Sequence, residues 1–167
     1  MVAKHKRIKT LILKDSEGYK DNMAIEFYKA NEEYGCFSNF SKHGFELYGK
    51  HWQTSEHYFQ AKKFTGTEHE EEIRLAKTPM EAAKLGRDRN RPLRKDWEEV
   101  KNDIMKQAIL AKFKAHDDIR EILFSTGDEE IIEATTDDYY WGCGTKRNGK
   151  NMLGKILMEV RMVLKSK

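Results

Sequence analysis

Two carboxylates in this chain sit among aromatic side chains: Glu56 within Thr54-Ser55-Glu56-His57-Tyr58-Phe59-Gln60, and Asp138 within Asp137-Asp138-Tyr139-Tyr140-Trp141-Gly142-Cys143-Gly144. Such groups suit cleavage of a bond at an anomeric carbon. The transition state there has oxocarbenium character, so a carboxylate stabilises the positive sugar or activates water, flat rings hold a base, and basic residues hold a phosphate. Basic residues collect twice, at Arg87, Arg89, Arg91, Arg94 and Lys95 beside Trp97, and at Lys146, Arg147, Lys150 and Lys155 after Trp141. Asn39, in Phe37-Ser38-Asn39-Phe40, offers an amide to a sugar or base, or serves as a turn residue.

By position alone Glu56 has two readings. Thr54 or Ser55 is suited to cap a helix, which puts Glu56 in the first turn. The helix dipole there favours the ionised acid, whereas burial among Trp52, Tyr58 and Phe59 favours the neutral one. Glu56 is then either a helix-end acid or a catalytic group.

Other chemistries fit the residues less well. Gly144 to Asn151 matches G-x-x-x-x-G-K but ends in Asn151, where a P-loop needs a hydroxyl for magnesium, and no apolar strand precedes it. The weaker expectation is that this glycine loop feeds a helix N-terminus whose free N–H groups suit a phosphate. His43, His51, His57, His69 and His116 never fall at the spacing of a zinc-binding helix, and Cys36 and Cys143 are far apart in sequence, so no metal and no cofactor is expected. Cys143, between glycines, reads better as a small turn residue than as a nucleophile.

The elements that must position these groups can be outlined from pattern. Short β-prone runs at residues 10–13, 24–28, 45–48 and 131–134 predict strands. Helices are predicted from Thr54 onward, after a Thr67-x-x-Glu70 capping box, from Thr78-Pro79 to Gly86, from Asp96-Trp97 along the longest helix, over residues 117–124, and after Asn151 to the end of the chain. The longest helix carries an apolar stripe of Trp97, Val100, Ile104, Ala108 and Ala111. Trp97, at its first turn, belongs either to the core or to a pocket rim.

At 167 residues the chain fits one domain with its own core. A net charge of +3, from 31 basic and 28 acidic residues, is a mixed surface and not that of a dedicated nucleic-acid binder. No run approaches the length of a membrane span, and the basic N-terminus lacks the apolar stretch of a secretory signal. The expected setting is cytoplasmic, with both cysteines reduced.

These residues together resemble the YbiA-like or NADAR family. The matching words are Phe27-Tyr28, Tyr34-Gly35 with Phe37 to Phe40, Gly49-Lys50 with Trp52, Thr54 to Gln60 with Lys63-Phe64, Gly86-Arg87, Asp96-Trp97, Lys112-Phe113, Asp138 to Gly144, and Gly149-Lys150-Asn151 with Leu153-Gly154. They run in the family's order from about residue 25 to 164. The resemblance implies a helix-rich α+β domain, a few short strands packed against several helices, over residues 24–167, with residues 1–23 as a partly ordered basic extension.

It also implies a metal-independent N-glycosidase. The implied substrates are phosphorylated ribosylaminopyrimidine intermediates of riboflavin synthesis, split into ribose 5-phosphate and an aminopyrimidine. Other branches of the family resemble hydrolases that remove ADP-ribose from guanine in DNA, and a domain that binds such a nucleotide without cleaving it is a third reading. Carried over by position, Glu56 is implied as the catalytic carboxylate, Trp97 and Trp141 as aromatic walls, and Asp138 as a second catalytic or ribose-binding group. Asn39, Arg87, Lys150 and Asn151 join them as expected substrate-binding residues.

Overall fold

In the computed structural model, which describes residues 23–166, four short strands and six helices pack around one core. The strand expected at residues 10–13 and all but the last residue of the basic extension lie outside the described residues. Strand β1 (Ile25–Phe27) pairs in parallel with β4 (Ile131–Glu133), with Phe27 opposite Glu133. Strands β2 (Phe45–Leu47) and β3 (Lys50–Trp52) form an antiparallel hairpin. Its turn places Tyr48 and Gly49 at φ of 52° and 72°. That backbone twist matches paired antiparallel strands, and it makes β3 a strand that the sequence pattern missed. Only Trp52 of β3 is buried, so no alternation marks the element.

Helix α1 (Ser55–Ala61) lies at the centre, with every residue buried. It packs against α2 (Glu68–Arg74), α3 (Pro79–Gly86) and α4 (Trp97–Ala115), and α4 in turn packs on α5 (Asp117–Ser125) and α6 (Met152–Lys165). Thr54 caps α1 as expected, its hydroxyl accepting from the His57 N–H at 3.2 Å. Thr78 does the same for α3. The capping box expected at Thr67 does not form. The Thr67 hydroxyl donates back to the Phe64 carbonyl at 2.8 Å, and Glu70 accepts from the Gly66 N–H and from Lys62. The chain entering α2 is a 3₁₀ turn, Lys62–Phe64, whose own carbonyl competes for the hydroxyl.

The buried face of α4 differs from the expected stripe. Val100 and Ala111 are half-buried, while Ile104, Met105, Ala108, Ile109, Lys112 and Phe113 face the core. Lys112 is fully buried, and its ammonium donates to the Ser38 carbonyl at 3.0 Å, which ties α4 to the aromatic segment carrying Asn39. Burial pulls the Lys112 amine down to about 7 from its ordinary 10.5. Between these values the unfolded chain binds more protons than the folded one, so this lysine makes stability rise with pH, by at most about 1.4 kcal/mol per pH unit. Urea denaturation of wild type and Lys112→Met at several pH values should show wild type gaining on the variant as pH climbs from about 7 to 10. A constant difference would contradict the burial of a titrating lysine here.

Candidate active site

Helix α1 turns about 100° per residue, so Glu56 and His57 point in different directions. His57 looks into the protein. Its Nε2 faces the Ala76 carbonyl at 3.0 Å and so carries the proton, which leaves Nδ1 to accept from the Thr54 hydroxyl at 2.8 Å. Burial holds this imidazole below its ordinary pKa. It is a neutral strut for the helix start, not a partner of the carboxylate.

Glu56 looks the other way, into a cavity of about 890 Å³. Phe59 and Gln60 follow it at spacings of three and four on one face of α1, and Lys63, in the 3₁₀ turn that continues the helix, lines the cavity with them. The Gln60 amide donates to Glu56 Oε1 at 2.7 Å. Gly86 presses on Gln60 from α3: a Cβ there would lie 2.1 Å from the Gln60 amide oxygen, so the bare backbone is what lets the two meet. Burial pushes the Glu56 carboxyl above the usual carboxylate range. The Gln60 hydrogen bond and the charges of Arg87 and Lys63 pull it back, and Asp138 adds to the rise.

Lys63 is held by the Gly86 carbonyl at 3.2 Å, with its ammonium 5.7 Å from the ring centres of both Phe59 and Trp97. Burial lowers its pKa while Glu56 raises it. Arg87 also lines the cavity. Its neighbours in the basic loop are engaged elsewhere, Arg91 with Glu72 at 2.6 Å and Arg94 with Asp96 at 2.6 Å, whereas Arg87 makes no ion pair among the described residues.

Asn39 and Asp138 reach the same space. The Asn39 backbone carbonyl accepts the Glu56 N–H at 3.1 Å, and its side-chain oxygen accepts from the Ser55 hydroxyl at 3.0 Å. That leaves its NH₂ group beside Met105 Sδ, at 3.4 Å, facing the cavity. Asp138 Oδ1 accepts the N–H groups of Tyr140 and Trp141 at 2.8 and 2.7 Å, a turn that fixes both the carboxylate and the Trp141 ring. Trp141 lines the cavity edge-on to Phe59, with ring centres 5.1 Å apart.

Three expected site residues are not on the cavity wall. Trp97 is buried behind Phe59, ring centres 5.0 Å apart, so Phe59 is the wall and Trp97 its backing. Lys150 lies over the Tyr140 ring, 5.1 Å from its centre. Asn151 takes the left-handed conformation (φ 50°, ψ 44°), accepts the Glu133 N–H at 3.0 Å and donates to the Ile131 carbonyl at 2.8 Å. The α6 N-terminus is not a vacant phosphate cradle either. The N–H groups of Asn151, Met152 and Leu153 already donate to the carbonyls of Gly142, Tyr140 and Trp141. Gly149 packs so close to Gly142 that a Cβ would sit 2.5 Å from its oxygen. The glycines of this loop fold the chain back on itself.

Pattern reading overlooked Phe59, Lys63 and Glu133. Glu133 ends β4 and adds its carboxyl to those of Glu56, Asp137 and Asp138 on the cavity wall; its Oε2 is buried with no hydrogen-bond partner. Burial, then the charges of Asp138 and Glu56, push it up to about 8. Among the described residues no three His, Cys, Asp or Glu side chains are arranged to hold a metal ion, and no helix is long and apolar enough to cross a membrane. Cys36 and Cys143 are unpaired.

Known proteins share this arrangement of chain. The NADAR domain model matches residues 26–165. An N-glycosidase of Nostoc punctiforme is 52% identical over 142 residues, covering 83% of this chain and 91% of that protein. The N-glycosidase YbiA of Escherichia coli is 49% identical over 137 residues, covering 82% of this chain and 86% of that one. Its NMR structure superposes with a TM-score of 0.81 at 45% identity and covers 90% of each chain. The riboflavin biosynthesis protein PYRR, chloroplastic, of Zea mays is 39% identical over 158 residues, covering 86% of this chain and 25% of the longer plant protein.

Proposed function

Because the chain belongs to the NADAR family, we propose that it is an N-glycosidase acting on intermediates of riboflavin synthesis, the phosphorylated ribosylaminopyrimidines. Relatives named as N-glycosidases, and one named as a riboflavin biosynthesis protein, support that reading. The observation that carries it is the convergence, in one cavity, of the Glu56 carboxylate with the cations Lys63 and Arg87 and the aromatic rings of Phe59 and Trp141.

In this mechanism the aminopyrimidine lies against Phe59 and Trp141, and Asp138 and the Asn39 amide orient the ribose hydroxyls. Arg87 takes the phosphate, since its guanidinium lines the cavity with no ion pair among the described residues, whereas the Lys63 ammonium is held by the Gly86 carbonyl. Glu56, fixed by Gln60, faces the anomeric carbon and stabilises the positive charge that grows there as the bond lengthens. It then takes a proton from the attacking water. In this reading the steps at the anomeric carbon need no metal, because the Glu56 carboxylate and water account for the proton moved there. A reducing compartment such as the cytoplasm suits the two unpaired cysteines.

A side-by-side assay tests the substrate. Wild type is incubated with the ribosylaminopyrimidine phosphate and with DNA carrying ADP-ribosylated guanine, and products are identified by mass spectrometry. Release of ribose 5-phosphate from the first at the greater kcat/KM is the expected result. Preferential release of ADP-ribose from the second would transfer the assignment to a DNA-repairing hydrolase. Recovery of both compounds intact would make the domain a binder.

A further inference from the structure

An amine is a poor leaving group unless its nitrogen is protonated as the bond breaks, and neither Glu56 nor the cavity cations supply that proton in the mechanism above. The cavity holds one more carboxyl in a contrasting environment. Glu56 has an amide donor on Oε1 and two cations near it, all of which favour the carboxylate. Glu133 has no such support. Its Oε2 is buried without a donor, and the charges acting on it, Asp138 and Glu56, are negative. The charged groups sharing its cavity are Lys29 after β1, Glu56 and Lys63 around α1, Arg87 at the end of α3, and Asp137 and Asp138 beyond β4.

Its position is also fixed by the backbone. Ile131 and Glu133 share one face of β4 by the two-residue period of a strand, so the fully buried Ile131 turns Glu133 inward. The Glu133 N–H is held by the Asn151 side chain, and its carbonyl accepts from the Cys143 N–H at 2.9 Å. A carboxyl gripped on both sides of its own peptide and set at a cavity wall is a positioned group. Burial raises both carboxyls, but only Glu56 has a hydrogen-bond donor and cations to draw it back toward the ionised form, and a pair whose environments differ in this way can divide base and acid roles between them.

We propose that Glu133 is the general acid of this site, protonating the leaving nitrogen while Glu56 remains ionised beside the anomeric carbon. The proposal rests on the N-glycosidase reading. The C1′–N bond breaks with its electron pair passing to nitrogen, which takes the proton of the Glu133 carboxyl group. Water then forms the new bond to C1′ and gives one proton to Glu56. Transfer of that proton through solvent restores Glu133, and the net change is one water added across the bond.

The test compares wild type, Glu133→Gln and Glu56→Gln on two ribosyl 5-phosphates, one with the aminopyrimidine and one with 4-nitrophenolate, which leaves without a proton. Glu133→Gln should lose about 10² to 10⁴-fold in kcat on the amine substrate and only about threefold on the nitrophenyl one. Glu56→Gln should lose on both. In wild type, kcat/KM on the amine substrate should fall at alkaline pH with an apparent pKa near 8, and this limb should vanish in Glu133→Gln. Equal losses on the two substrates, or an alkaline limb that survives the substitution, would overturn the assignment. Should that variant not fold, Glu133→Asp is expected to show the same split between substrates at smaller amplitude. If wild type cleaves neither compound, it is the N-glycosidase reading that falls. Infrared spectra at pH 7 decide the acid independently of turnover: a protonated-carboxyl band in wild type must be absent from Glu133→Gln and shifted in Glu133→Asp, and its absence from wild type rejects the proposal.

Discussion

Glu56→Gln should lower kcat by about 10² to 10⁴-fold, with little change in KM and no fall in the thermal midpoint. The amide keeps the length and the acceptor oxygen of the acid, so the 2.7 Å bond from Gln60 survives. What it loses is the negative charge facing the cavity and the capacity to take a proton from water. Substrate is gripped by the aromatic faces, Asn39 and Arg87, which the substitution does not touch, and for that reason the loss falls on kcat. Stability moves the other way from activity. Burial disfavours the Glu56 carboxylate in the folded chain, and a neutral amide removes that cost. A variant that melts earlier than wild type and binds substrate poorly would instead mark Glu56 as the helix-end acid that its first-turn position also allows.

The second large effect is expected on stability. Asn151→Ala should cost about 3 kcal/mol, from two buried hydrogen bonds at roughly 1 kcal/mol each and about 1 kcal/mol for placing alanine in the left-handed region. For a chain of this size that corresponds to a fall of roughly 6 to 12 °C in the melting temperature. Asn151→Gly removes the same hydrogen bonds but tolerates φ of 50°, so it should lose less than the alanine variant. Turnover should fall in both, because the Asn151 amide holds the Glu133 peptide, while KM for a phosphorylated substrate stays unchanged. A variant that melts like wild type but has a raised KM would restore Asn151 to the phosphate-binding role that the glycine loop suggested.

That contrast shows how far local pattern carries. Glu56, Asp138 and Trp141 could be picked out because an acid or tryptophan amid aromatic residues is unusual, and all three line the cavity. The Thr78-Pro79 start of α3 was equally legible, since capping is decided within one turn. The glycine loop misled because the N–H groups at the start of α6 are satisfied by carbonyls of the 140–142 segment, a pairing that depends on how the loop folds back. Trp97 misled because neighbouring the basic loop in sequence did not place it beyond Phe59 in space.

Two of the overlooked residues did leave a signal. Phe59 and Lys63 stand at helical spacing from Glu56, so the face that carries the acid predicts them once its direction is known. Glu133 follows a buried Ile131 by two positions, and that alternation points its side chain inward. Without the tertiary fold, nothing distinguishes an inward glutamate at a strand end from one that turns to solvent.

The most direct test of the account is product analysis with one substrate and two proteins. Wild type and Glu56→Gln are each incubated with the ribosylaminopyrimidine phosphate, and ribose 5-phosphate and free aminopyrimidine are quantified by mass spectrometry. Wild type should release equal amounts of the two products, and the variant only the uncatalysed background. Equal rates from both proteins, or disappearance of substrate without ribose 5-phosphate, would contradict that expectation.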